Sequence, residues 1–169
     1  VADQGRRLVV MRHAAAASSA SSDRERPLTD AGASAARDAG RWLAAQGLRP
    51  DLALVSEARR AQETWAGVCA GGDYDPSTGS AEPGIYSAGP EAVLDLIHLV
   101  DDDVRTLVVV GHNPTMSVLA MTLDDGSTST LLAHPDFRPG AMAVFELDGP
   151  WADLTTQGAR ATEVYVGRG

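Results

Sequence analysis

Three short apolar runs in this chain each end on basic side chains, and that repetition restricts the fold more than any other feature. Leu8–Val9–Val10–Met11 stops at Arg12–His13, Leu52–Ala53–Leu54–Val55 runs into Ser56–Glu57–Ala58–Arg59–Arg60, and Leu107–Val108–Val109–Val110 runs into Gly111–His112–Asn113–Pro114. Runs this short, rich in Val and Leu, suit buried strands covered by helices on both faces. In open parallel sheets ligands bind beyond the carboxyl ends of the strands. The three endings are therefore expected to converge on one anionic ligand.

Between the runs the spacing turns helical. Thr29 suits an N-cap, and Asp30 suits the first turn, where a negative charge meets the positive end of the helix dipole. Ala35, Ala39, Trp42 and Leu43 recur on one face and Gly47 supplies a stop, which predicts a helix over Thr29–Gln46. With the strands on either side it forms a crossover unit, expected to be right-handed. A second helix is expected from near Ser56 to Ala70, with Ala61, Trp65, Val68 and Cys69 inward, and a third over Pro90–Val100, with Val93, Leu94 and Ile97 inward. A fourth should span Thr115–Leu123, capped by Asn113 with Pro114 at its first position, its N-terminal amides facing the crevice.

Residues 14–22 are small and serine-rich and read as a mobile loop, either a flap beside the pocket or a surface connection. Residues 71–84 and 124–139 read as irregular loops, and Glu82–Tyr86 has no assigned structure. Ala141–Leu147 and Ala161–Val166, with no helix between them, should pair antiparallel at a sheet edge, and residues 151–156 could add a further strand.

At 169 residues and 44% hydrophobic content, with no repeat or linker, the chain is expected to form one domain over 1–169. A net charge of −9 opposes nucleic acid and anionic membrane surfaces as partners and makes basic groups at strand ends conspicuous. The single cysteine, Cys69, excludes an internal disulfide and lies in an apolar stretch, so it reads as helix core and fits a reducing cytoplasm. Val1–Gly5 has no signal-peptide run, and no window approaches the roughly 18 apolar residues of a membrane span. A cytoplasmic location is expected. His98 fits packing better than catalysis, and His134 has no partner spacing for a metal. Nothing in the sequence sets the oligomeric state.

The chemistry follows from the side chains. Arginine presents a fixed fork of donors, always charged, that matches the oxygens of a phosphoryl group, which suits Arg12 and Arg60. A neutral imidazole can attack phosphorus, and His13 lies next to an arginine as such a step requires; His112 can donate a hydrogen bond to the group in transfer. No metal or other cofactor is needed. Asn113, beside His112, is a further candidate for substrate contact. Arg26, just before Pro27–Leu28–Thr29, either reaches the same anion or stays an ordinary surface charge.

These motifs resemble those of the histidine phosphatase superfamily, the phosphoglycerate-mutase-like clan. Val10–Met11–Arg12–His13–Ala14 is similar to its N-terminal Arg–His–Gly signature, with Ala14 in the glycine place. Ser56–Glu57–Ala58–Arg59–Arg60–Ala61–Gln62–Glu63–Thr64 resembles its Ser-x-x-x-Arg-Ala-x-x-Thr motif, which selects Arg60 over Arg59, and Val110–Gly111–His112–Asn113–Pro114 resembles the late Gly–His motif. The short length, Arg26–Pro27–Leu28–Thr29–Asp30–Ala31–Gly32 and the Glu82–Tyr86 segment are similar to the SixA-type phosphohistidine phosphatase branch.

The resemblance covers nearly the whole chain. It implies a three-layer α/β/α sandwich whose central sheet is mostly parallel with an antiparallel edge. It also implies a His13 nucleophile carrying a phosphohistidine intermediate, a pocket of Arg12, Arg60 and His112, an auxiliary Arg26 and no cofactor. Clan members that act on alcohol phosphates use a carboxylate proton donor; Glu82 is the candidate and Glu57 also lies near the expected mouth, a solvated Glu being the competing reading for each. An alkoxide needs that proton, whereas a phosphorylated imidazole can leave neutral with a proton on its other nitrogen. The expected partner is therefore a protein bearing phosphohistidine. A small phosphate monoester is the alternative, and a phosphate-dependent binding module without turnover is a third reading, which the complete set of His13, Arg12, Arg60 and His112 opposes.

Overall fold

The computed structural model describes residues 5–167, so Val1–Gln4, most of the opening segment read for a leader, lies outside it. Six strands, β1 (Arg6–Arg12), β2 (Leu52–Ser56), β3 (Gly79–Glu82), β4 (Thr106–Gly111), β5 (Met142–Leu147) and β6 (Arg160–Tyr165), form one sheet. Their order is β3-β2-β4-β1-β5-β6. The first four are mutually parallel, and β5 and β6 add an antiparallel edge, as the helix-free tail predicts. Five helices complete the layers: α1 (Asp30–Ala45), α2 (Arg59–Gly72), α3 (Pro83–Tyr86), α4 (Pro90–His98) and α5 (Thr115–Leu123).

Alternation along the central strands divides the core. Val9, Met11, Val55, Val108 and Val110 pack with Leu43, Ala61, Trp65 and Val68 of α1 and α2, while Leu8, Val10, Leu54, Leu107 and Val109 pack with Val93, Ile97, Leu119 and Leu123 of α4 and α5. Every residue of Leu8–Met11 and Leu107–Val110 is fully buried, the consequence of helices on both faces. α1 and α2 lie almost backbone to backbone. A Cβ on Gly40 would fall 2.1 Å from the Val68 carbonyl oxygen, and one on Gly71 would fall 1.9 Å from that of Arg37.

The helix starts bear on the site. Thr29 caps α1 as expected, its hydroxyl accepting from Gly32 N at 3.0 Å, a contact worth about 1 kcal/mol. α2 begins at Arg59, later than the spacing suggests, because Ser56 still belongs to β2 and pairs with Glu82 of β3. For α5, Pro114 takes the cap position, but Asn113 Oδ1 still accepts from Ser117 N at 3.2 Å.

Three expectations need correction. Residues 71–84 are not wholly irregular, for Pro76–Thr78 makes a 3-10 turn and Gly79–Glu82 is β3. This edge strand is held by backbone pairing to β2, and its sequence Gly–Ser–Ala–Glu carries none of the bulky or β-branched side chains that mark a strand. Residues 151–156 add a 3-10 turn, Trp151–Asp153, instead of a strand; Trp151 is fully buried there and donates from Nε1 to the Val104 carbonyl at 2.8 Å. Residues 14–17 of the segment 14–22 are tied down, while 18–22 are exposed. Ala17 N donates to the Pro27 carbonyl and Thr29 N to that of Ala15, and a Cβ on Gly32 would meet the Ala15 oxygen at 2.0 Å. The segment ends in a 3-10 turn at Asp23–Glu25.

Cys69 is buried in α2, where burial, reinforced by Asp75, pushes its thiol up to about 11. It is inert packing. His98 Nε2 donates to the Leu154 carbonyl at 2.6 Å, a packing role.

Candidate active site

Adjacent strands deliver the two imidazoles. β1 and β4 pair Arg12 with Gly111, so the next residues, His13 and His112, emerge side by side with ring centroids 5.2 Å apart. His13 N donates to the Gly111 carbonyl at 2.9 Å, which fixes the two strand ends to each other. β2 flanks β4 on its other side, and the turn after Ser56 leads into α2, whose first turn carries Arg60. Thr64 joins the pieces, its Oγ1 accepting from Ala14 N at 3.0 Å and donating to the Arg60 carbonyl at 2.7 Å. Glu63 anchors the approach to α1 by accepting from Leu28 N.

Each imidazole has one nitrogen fixed. His13 Nδ1 lies 2.7 Å from the Ala14 carbonyl, an acceptor only, so Nδ1 carries the proton and Nε2 the lone pair. His112 Nε2 lies 2.7 Å from Ser56 Oγ, which already accepts from Ala58 N. With the Ser56 hydroxyl donating to Nε2, His112 Nδ1 carries the proton and is an N–H donor. Burial lowers His13 to about 4, aided by Arg60, Arg12 and Arg26 against the pull of the Ala14 carbonyl. It lowers His112 to about 4 as well, with His13 and Arg60 contributing and Asp23 opposing. Both rings are neutral at pH 7.

The arginines are held at one edge and free at the other. Arg12 donates from Nη1 to the Phe137 carbonyl at 3.1 Å. Arg60, 5% exposed, donates from Nη1 to the Asp23 carbonyl at 2.9 Å and from Nη2 to Asp23 Oδ2 at 3.2 Å. Among the described residues, five buried side-chain nitrogens have no partner, and three of them are Arg12 Nε, Arg60 Nε and His112 Nδ1. Buried donors are nearly always satisfied, so three unpaired ones in one cluster mark a site made for an acceptor with several oxygens.

The other candidates stand farther out. Asn113 has both ends of its amide engaged, Nδ2 donating to the Phe137 carbonyl at 2.9 Å and Oδ1 accepting from Ser117, so it shapes the loop that also holds Arg12. Arg26 donates from Nε to Asp23 Oδ1 at 3.0 Å and from Nη1 to the Ala17 carbonyl. Glu82 accepts from Ser80 Oγ at 2.9 Å, and no hydrogen bond or ion pair joins it to His13, His112, Arg12 or Arg60. Glu57 is ion-paired with Arg24. His134 lies on the exposed loop before β5. No group of three or more His, Cys, Asp or Glu arranged to hold a metal occurs among the described residues.

Asp23 and Tyr86 are the residues that sequence reasoning misses. Tyr86 donates to Asp23 Oδ2 at 2.5 Å, meets His112 edge-on at 5.8 Å and lies under the Arg24 guanidinium. The hydrogen bond from Tyr86, with help from Arg60 and Arg26, lowers the Asp23 carboxyl to about 2. In sequence Asp23 is one charge in Asp23–Arg24–Glu25–Arg26, which reads as a solvated run. Ser56 and Thr64 do carry a signal, since both are fixed positions of the second motif.

The family model for the histidine phosphatase superfamily (branch 1) matches residues 8–79. The phosphohistidine phosphatase SixA of Escherichia coli K12 is 32% identical over 143 residues, 82% of this chain and 84% of that protein. A SixA structure from Nakamurella multipartitia superposes with a TM-score of 0.86 at 32% identity, covering 96% of both chains. A structure of the protein histidine phosphatase SixA complexed with tungstate superposes with a TM-score of 0.77 at 27% identity over 94% of this chain and 95% of that one. No helix among the described residues is long and apolar enough to cross a membrane.

Proposed function

Because the chain belongs to the histidine phosphatase superfamily, we propose that it hydrolyses phosphohistidine on proteins through a phosphoryl group carried transiently on His13. The His13 Nε2 lone pair attacks phosphorus in line with the leaving nitrogen. The electron pair of the breaking P–N bond passes to the substrate imidazole, which keeps a proton on its other nitrogen and departs neutral. Water then attacks the phosphoryl group on His13, releasing inorganic phosphate and restoring the neutral ring. Arg12 Nε, Arg60 Nε and His112 Nδ1 hold the equatorial oxygens through both steps.

The observation that carries this reading is the set of three unpaired buried donors around a histidine whose Nδ1 is already committed to a carbonyl. The tungstate bound by a SixA is a tetrahedral oxyanion of the kind such donors suit. Arg26 serves as an auxiliary group through its charge and its hold on the loop, and Asn113 by shaping the far wall. No cofactor takes part, and the partner is a phosphorylated protein of the cytoplasm. Glu82 is bonded to Ser80 and Asp23 is held ionised, which suits a leaving group that needs no external proton.

The test is a substrate panel: a phosphohistidine protein, an alkyl phosphate and an aryl phosphate. Turnover is expected to be fastest on phosphohistidine by at least a hundredfold over the alkyl ester. Equal turnover of the alkyl ester, lost in Glu82→Gln, would favour a small-molecule monoesterase. Binding of phosphate with no turnover of any substrate would favour a binding module.

A further inference from the structure

Among the described residues, Asp23 is the only carboxylate ion-paired with either phosphate-binding arginine. It takes the outer fork of Arg60, through its carbonyl oxygen on Nη1 and Oδ2 on Nη2, and leaves the buried Nε edge unpaired. A phosphoryl group on that inner edge lies one guanidinium width below Asp23. In-line attack sends the leaving group away from half-buried His13 and out through the mouth, where the Asp23 side chain is 56% exposed. An imidazole ring is about as wide as a guanidinium, so the ring nitrogen remote from phosphorus reaches the level of this carboxylate.

We propose that Asp23 is the specificity-determining acceptor for the leaving imidazole: its carboxylate takes the N–H of the ring nitrogen remote from phosphorus and keeps that proton on the ring while the P–N bond breaks. This rests on the phosphohistidine reading above. A ring that keeps the proton departs as neutral imidazole, the bond pair settling on the nitrogen that leaves phosphorus. One that has lost it must depart as an imidazolate, a far poorer leaving group. An alkyl phosphate offers no N–H, and ionised Asp23 has no proton for its alkoxide. The surroundings hold the carboxylate in that form: Arg60 from α2, Arg26 from its own loop and Tyr86 from α3 bond it directly. Arg24 and Glu57, paired with each other, and His112, under Tyr86, are further ionisable groups around it, with Glu25 in the same turn.

The test measures kcat/KM for a phosphohistidine protein and for an aryl phosphate, with wild type, Asp23→Asn and Tyr86→Phe, from pH 5 to 9. In Asp23→Asn the ratio of phosphohistidine to aryl phosphate activity should fall at least tenfold, and the alkaline limb of the phosphohistidine profile should move to lower pH while that of the aryl ester stays. Tyr86→Phe, which keeps the ring and loses one partner of the carboxylate, should move the ratio the same way by less. Equal losses on both substrates would make Asp23 a tether for Arg60, and gains on both would make it a plug; either overturns the assignment. A wild type that cleaves the aryl ester and ignores phosphohistidine overturns the substrate reading as well. A wild-type preference for phosphohistidine that both variants preserve overturns the Asp23 assignment alone.

Discussion

The floor of the pocket, Arg12, His13, Arg60 and His112, is set by two strand ends and one helix start, whereas the rim, Asp23, Arg24, Arg26 and Tyr86, hangs on a loop and a one-turn helix. The floor is buried at Arg60 and half-buried elsewhere, and Arg12 Nε, Arg60 Nε and His112 Nδ1 lack partners. The rim is half-exposed, and its charges are paired with one another. Unpaired buried donors are costly until an oxyanion arrives, so under the proposed function the floor serves any phosphoryl group that enters it. Saturated surface charges add little binding energy and are screened by salt, so the rim can discriminate between leaving groups without doing the transfer itself.

Variants can break this division, beginning with the largest effect. His13→Ala should lower turnover of every substrate by about 10⁴-fold or more, with its thermal unfolding midpoint close to that of wild type. Single-turnover assays that find near-normal activity would move the nucleophile elsewhere. Arg60→Ala should cost about 10²- to 10³-fold in kcat/KM, by analogy with the loss of one oxyanion donor, and should weaken inhibition by tungstate. A loss below tenfold would place Arg60 with the rim.

Ser56→Ala leaves the His112 ring without the partner that fixes its tautomer and should cost about ten- to a hundredfold on all substrates alike. A selective effect on one leaving group would blur the line between floor and rim. The smallest effect concerns pH. With both imidazoles lowered to about 4, the rate on an aryl phosphate, once corrected for titration of the ester's own phosphate at about pH 6, should change by less than about twofold between pH 7 and 5. It should fall as the pH drops through about 4, where His13 takes up a proton and loses its lone pair. A limb near 6.5 would show that the floor is wetter than its burial implies.

The floor was legible because its residues sit where apolar runs stop, and a run of buried side chains is a local signal. Arg12, His13 and His112 follow directly from β1 and β4, and the family motif separates Arg60 from Arg59. The strand β3 was not legible, since small side chains at an edge leave backbone pairing as its whole support. Nor was the delayed start of α2, where pairing of Ser56 with Glu82 overrides the helical spacing. Asn113 shows a mixed outcome: its capping contact was readable from Pro114 and the helix that follows, but its bond to the Phe137 carbonyl was not.

Taken alone, the sequence determined which segments are buried, that three of them end in basic side chains, and that the tail runs antiparallel, because burial adds up along a run of neighbouring residues. Only the tertiary structure decided that Asp23 meets Arg60 and Tyr86, the latter 63 residues away, and that Arg12 Nε, Arg60 Nε and His112 Nδ1 stay unpaired while the charges of the rim are paired. Such contacts depend on how loops close over the ends of a finished sheet. No local pattern of side chains encodes that closure.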